Sequence, residues 1–282
     1  MRFLLPLLLF LLPATAQFIV QIKPTKAQYV AHEDIEITLS ITNRAGKQLT
    51  LTGKKFDNWL DINIYDQRRN LLPYKGTPPI FKAVRLPAGQ TVEKRINLSE
   101  FYDLTRYGRY SLTADVNLPG NTEEVMRSNT GVFTITNGRV LTTQKIGIPG
   151  TISARGYEVI RFNNDKRSHI YVKITNDFTK QVESCQALSQ HVPFEDPQVA
   201  LDRSNNLHLL YLITHSTYIH HVLNPQGQVI KRNYHRPGSY GKPRLESFAK
   251  GDVKVAGTVI FDPVKAREEA RQDKKLSERP EF

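Results

Sequence analysis

Four histidines fall within eighteen residues of the sequence, in LHLLYLITHSTYIHHVLN at 207–224. Imidazole is a common zinc ligand, so a metal centre is the first chemistry to consider. It needs three or four ligands converging on one point. The flanking residues read as two strands, LHLLYLI and YIHHVL, folded about His215 and Ser216. That hairpin sets Leu210 opposite His221 and Tyr211 opposite His220. His208 then shares a face with His221, His220 points the other way, and His215 lies in the turn. Two ligands do not make a zinc site, and a third would have to come from His169 in SHIYVKIT. The expectation is therefore no metal and no cofactor, with His169, His208 and His221 as the weaker alternative.

Other reactive constellations are missing from the text. There is no Gly-x-Ser-x-Gly elbow, no His-Glu-x-x-His pair and no phosphate-cradling glycine loop. Paired carboxylates at Glu123–Glu124 and Glu195–Asp196 sit in turn-like contexts and read as solvated surface. The most pointed feature is QVIKRNYHRPGSYGKPRL at 228–245. It holds Lys231, Arg232, Arg236, Lys242 and Arg244 without one acid, interleaved with Tyr234, His235 and Tyr240. Cations beside aromatic faces on a loop between strands suit an anionic polymer or carbohydrate. The competing expectation is an ordinary solvated loop whose cations pair with acids elsewhere.

Charge and the N-terminus set the context for that loop. The formal net charge is +12, and residues 138–261 carry 16 basic against 9 acidic side chains. Such an excess draws a protein toward anionic surfaces. The opening MRFLLPLLLFLLPATA has one cation, an apolar run from Phe3 to Leu12 and a small-residue end at Ala14-Thr15-Ala16. This is the layout of an export signal, with cleavage expected after Ala16. The run is too short to span a bilayer and no later stretch qualifies, so a mature chain without a transmembrane segment is expected, periplasmic or extracellular. Expected partners are then an anionic envelope polymer, carbohydrate or another protein, and not nucleic acid. Cys185 is the single cysteine, which excludes an intrachain disulfide and points to a small buried hydrophobe.

The elements that must position these residues read as strands. DIEITLSITN, WLDINIYD, TVEKRINL and GRYSLTADV alternate apolar and polar residues, and FIVQIKP and GVFTIT complete six clear strands. A seventh, short strand is expected near Ile80. Seven short strands in roughly 120 residues fit a β-sandwich. In LPAGQTVEKRINLSEFYDLTRYGRYSL, Tyr102, Asp103, Gly108 and Tyr110 occupy the places of a "Tyr-Asp-Leu … Gly-x-Tyr" corner. On these residues, 18–137 resembles the immunoglobulin-like domains of bacterial secreted proteins. The resemblance implies a corner tyrosine bonded back to the backbone, and it implies almost nothing about function.

TNGRVLTTQKIGIPGTISARG then marks a connector or an irregular crossing strand over 138–156. Beyond it lies a weak internal repeat. SHIYVKIT aligns with LHLLYLIT at a spacing of 39, and Pro197 aligns with Pro243 at a spacing of 46. Such periods suggest propeller blades. The best copy has strands QVAL, LHLLYLI, YIHHVL and QVIKRN, and resembles a blade of sialidase-like propellers, though the Ser-x-Asp-x-Gly-x-x-Trp turn is absent. Three copies do not close a ring, so an open meander, a sandwich or a ring completed by another chain are all open. Residues 262–282 read as a charged helix or tail, with Asp262 as its cap.

The sequence therefore points to an all-β chain: signal 1–16, immunoglobulin-like sandwich 17–137, connector 138–156, blade-like antiparallel domain 157–261, and tail. The expected role is an exported, non-catalytic binding or scaffold protein. The alternatives are a secreted hydrolase using the His169, His208 and His221 face, and a sandwich acting as a protease inhibitor.

Overall fold

The computed structural model describes residues 18–53, 58–77, 81–118, 125–148, 151–164, 167–239, 241–266 and 268. The expected signal, the strand near Ile80, Glu123–Glu124, Tyr240 and most of the C-terminal tail lie outside them. The fold is nearly all β, 59% strand against 3% helix. Among the described residues no helix is long and apolar enough to cross a membrane. The chain divides into two compact units, 1–29 with 35–135, and 30–34 with 136–282.

The strands of the first part, in chain order, are β1 (Phe18–Pro24), β2 (Gln28–Val30), β3 (Glu36–Asn43), β4 (Leu49–Leu51) and β5 (Leu60–Tyr65). They continue with β6 (Val84–Leu86), β7 (Thr91–Asn97), β8 (Gly108–Asn117), β9 (Val125–Arg127) and β10 (Gly131–Thr136). One sheet runs β1-β3-β7, a second runs β2-β10-β8-β5 with β9 also on β8, and β4 pairs with β6. The alternation in the sequence is the reason. Ile37, Leu39 and Ile41 of β3, and Tyr110, Leu112, Ala114 and Val116 of β8, are buried while the residues between them are not. Trp59, just before β5, is buried, and its Nε1 donates to the carbonyls of Phe81 and Lys82, both at 3.1 Å.

Two tyrosines of the segment where a corner was expected bond to backbone carbonyls. Tyr110 Oη donates to Arg106 O at 2.8 Å, four residues upstream. Tyr102, buried, donates instead across the fold to Ile62 O of β5.

The second part comprises β11 (Arg139–Gly147), β12 (Ala154–Asn164), β13 (Arg167–Asn176), β14 (Val182–His191), β15 (Gln198–Leu201) and β16 (Leu207–Leu212). There follow β17 (Tyr218–Leu223), β18 (Val229–Pro237), β19 (Arg244–Ser247), β20 (Val253–Ala256) and β21 (Thr258–Phe261). The segment read as a connector or an irregular crossing strand holds β11 and the start of β12, with a register shift between Val140 and Thr142 where β11 meets β12. One sheet runs β11-β12-β13-β14, another β15-β16-β17-β18-β21, and β19 pairs with β20. The four strands of the best repeat copy form in the expected order. Its aligned partner SHIYVKIT is β13, in the other sheet.

The two large sheets share a core in which Tyr157, Val159, Ile170, Val172 and Ile174 meet Leu207, Leu209, Tyr211, Ile219 and Leu223. Strands β16 and β17 are buried at all their positions. Their other face is covered in part by Val192, Leu245 and Val255, which pack on Leu210, Leu212 and Tyr218. Val30, Ile160, Phe162 and Tyr171 form a smaller cluster, and Cys185 of β14 packs half-buried against it. Burial pushes the Cys185 thiol up to about 12. At the far end, Asp262 Oδ1 accepts from the Val264 and Lys265 amides and caps the helical turn at 263–266.

The turn between β17 and β18 depends on Gly227. Its φ is +88°, and a Cβ there would stand 2.6 Å from Ser184 Oγ. Both left-handed strain and the close approach of β14 exclude a side chain. Gly227→Ala should therefore cost about 1–3 kcal/mol in urea unfolding of the full chain.

Candidate functional site

The histidine hairpin adopts a register one residue away from the expected one. Leu209 faces His221, Leu210 faces His220 and Tyr211 faces Ile219. The loop has three residues, Thr214–Ser216, because Ile213 N and Thr214 N both bond to Thr217 O. The Thr214 hydroxyl accepts from the Ser216 and Thr217 amides and holds that extra residue in the turn. A one-residue slip exchanges the faces. His208 accordingly sits with His220, and His221 turns into the core.

His221 is stacked on Tyr211 at 5.8 Å, with its Nδ1 3.3 Å from the Tyr211 hydroxyl. Arg232 Nε donates to His221 Nε2 at 3.1 Å. A guanidinium can only donate, so the uncharged ring carries its proton on Nδ1. Burial, with Arg232 beside it, brings the His221 pKa down to about 4. His169 lies on β13 opposite Phe162 and shares the face of Tyr171, which is turned away from this core. The set His169, His208 and His221 therefore does not converge, and a hydrolase site built on it loses its geometry. No group of three or more potential ligands is placed to hold a metal among the described residues.

A different row forms on the outer face of the sheet. His208 Nδ1 is 3.1 Å from His220 Nε2, and His208 Nε2 is 3.3 Å from Asp202 Oδ2. With both rings uncharged, the carboxylate orders the chain: His208 donates to Asp202 and His220 donates to His208. Burial works against the Asp202 charge, but bonds from Asn206, His208 and Ser204 hold its carboxyl below the usual range. The His235 ring lies 6.0 Å from that of His220, and its Nδ1 is 3.1 Å from Thr258 Oγ1. Burial lowers both rings, and neighbouring His208, His235 and Lys231 help bring His220 down to about 3.

The basic stretch 228–245 is only partly the expected loop. Strand β18 continues through Pro237 because β21 pairs with Tyr234–Pro237. Tyr234 packs against the core and His235 is buried, so neither is a surface aromatic. Lys242 is ion-paired with Glu195, which also accepts from Tyr218, and Arg244 pairs with Glu246 at 2.7 Å. Three exposed cations are left on β18. Arg232 touches His221, Arg236 lies 3.6 Å over the Phe261 ring, and Lys231 extends into solvent. Alternation puts Arg232 and Arg236 on one face and Lys231 on the other.

The first unit contains a cleft of about 600 Å³ that no sequence pattern announced. One wall is the turn after β5, where Asp66 accepts from the Arg68 amide and from the amide and side chain of Asn70 at 2.8–2.9 Å. The Asn70 side-chain bond leads in holding the Asp66 carboxyl below its ordinary value. The other wall is the segment 103–110, pinned by the Tyr110 bond described above. There Asp103 accepts from Thr105 at 2.7 Å, which likewise lowers its carboxyl. Arg68, Arg106 and Arg109 line the cleft with Tyr107, Leu71 and Pro73. The one available signal was RYGRY at 106–110, two cations flanking a tyrosine beside the corner.

No family model and no curated protein matches the chain. The solved structures with a distant likeness include three. The Pseudomonas fluorescens alkylpurine DNA glycosylase AlkC, bound to DNA containing an abasic site analog, is 17% identical over 43% of this chain, with TM-score 0.26. The chain spans only 30% of that protein's length. Spo0M, a sporulation control protein from Bacillus subtilis, is 8% identical over 62% of this chain and 91% of its own, with TM-score 0.27. The YadV chaperone is 11% identical over 78% of this chain and 99% of its own, with TM-score 0.26. Likenesses this weak assign neither a fold family nor a function.

Proposed function

We propose that the protein is an exported, non-catalytic binding or scaffold module that contacts an anionic polymer or carbohydrate through β18. In this reading residues 17–137 are an immunoglobulin-like sandwich and 157–261 a blade-like antiparallel domain. The sheets β1-β3-β7 and β2-β10-β8-β5 support the first assignment, and the consecutive strands β15 to β18 support the second. The observation that carries the function is the exposure of Lys231, Arg232 and Arg236 on one strand. Arg232 and Arg236, four residues apart, stand about 13 Å from one another along the same face, a spacing suited to successive charges of an extended polymer. Lys242 and Arg244 contribute less, since Glu195 and Glu246 already answer their charge.

The test is retention of the full mature chain on an anionic polysaccharide matrix along a salt gradient. Replacing Lys231, Arg232 and Arg236 with Gln should advance elution well beyond a control carrying Gln at the exposed Lys23, Lys47 and Arg85. The attraction is screened over roughly 8–10 Å near physiological ionic strength, so the difference should shrink as salt rises. Coincident elution of the two triple variants would remove β18 from the function.

A further inference from the structure

We propose that the 600 Å³ cleft of the first unit binds an acidic saccharide, a pyranose ring bearing a carboxylate, at a site separate from β18. The cleft combines the two things such a ligand requires. Arg68, Arg106 and Arg109 provide guanidinium donors, and none of the three is spent on an ion pair among the described residues. A guanidinium meets a carboxylate through two parallel N–H bonds, which fixes the orientation of the bound group. Tyr107 and Leu71 offer the apolar surface, 58% and 56% exposed in a fold whose other large side chains are mostly inside. A flat aromatic face against the C–H face of a sugar ring is a favourable, weakly directional contact.

The acids of the cleft do not cancel the cations. Asp66 already accepts three hydrogen bonds from its own turn. Asp103 receives Thr105 through one oxygen, Oδ1. Its Oδ2 can accept from a sugar hydroxyl, a bond that sulfate cannot offer. Preorganisation favours the same ligand. The Tyr110 bond to Arg106 O and the Asn70–Asp66 bonds fix both walls before anything binds, so little ordering cost falls on association.

Calorimetric titration of the full mature chain with trigalacturonate tests the assignment. One saturable site is expected, with no heat from neutral maltotriose and none from sodium sulfate at matched ionic strength. Arg106→Gln with Arg109→Gln, and separately Tyr107→Ala, should each weaken binding by about tenfold or more. All three positions are exposed, so the thermal melting of the variants should match the parent. The Lys231, Arg232 and Arg236 variant should keep the saturable binding of trigalacturonate, because β18 presents its spaced charges to a longer polymer, which keeps the two sites apart. Absence of saturable binding up to about 1 mM overturns the proposal. So does equal binding by the cleft variants, or sulfate competing as well as the saccharide.

Discussion

Replacing Trp59 with Ala should destabilise the first unit by about 3–5 kcal/mol, the range for deleting a buried aromatic side chain. Trp59 is 1% exposed, and its ring meets Phe81 edge-on at 6.2 Å between centroids. Truncation opens a cavity and also strips the carbonyls of Phe81 and Lys82 of the indole N–H that answers both. Trp59→Phe separates these contributions, because it keeps most of the packing and should cost only about 1–3 kcal/mol from the lost donor. Urea unfolding followed by far-ultraviolet circular dichroism reads both variants. A loss under about 1 kcal/mol for Trp59→Ala would mean that the indole does not hold the loop at 81–82 to the sheets of the first unit.

Acid should unfold the second unit between about pH 6 and pH 4. His220 and His221 are held at about 3 and about 4, against an ordinary 6.5. A base whose folded pKa lies below its unfolded one leaves the folded state with fewer bound protons. The stability is therefore whole above about 6.5 and drains away as pH falls toward the folded values. By pH 4 the two rings together remove on the order of 6 kcal/mol, comparable to the roughly 5–15 kcal/mol of a whole domain. No easy rescue is at hand, since Lys231 and Arg232 face these rings from β18 and His208 and His235 stand beside His220. The Asp202 carboxylate is bonded to His208 rather than to His220. The single tryptophan lies in the first unit, so its fluorescence should hold while the circular dichroism signal falls. His220→Gln with His221→Gln should move the acid midpoint down by about one pH unit or more. An unchanged midpoint would mean that other groups drive the transition.

The strands were legible wherever one face meets a core and the other meets water. The alternations in β3, β5 and β8 match their burial, with Asn43 the one polar residue at a buried position. Legibility ended where structure depends on distant pairing or on the length of a turn. THS at 214–216 has no glycine or asparagine to signal a three-residue loop, and one added residue moved His221 from the face of His208 to the opposite one, which meets the core. Tyr234–Pro237 read as loop because the strand that pairs with it, β21, lies more than twenty residues downstream. Strands β16 and β17 carry no alternation, being buried on both sides, and so could not report which face held which histidine. The cleft draws its walls from two stretches some forty residues apart, and periodicity cannot bring those together.

The placing of Cys185 gives the protein an internal clock. With its thiol near 12 and packed against Ile160, Phe162 and Tyr171, almost none of it is thiolate at neutral pH. A thiol reagent in the medium therefore reacts slowly with the folded chain and faster whenever β14 lifts away. The rate at which label accumulates thus rises with how often that sheet opens. There is no second cysteine to compete for the label or to reverse it through a disulfide, so the count is cumulative.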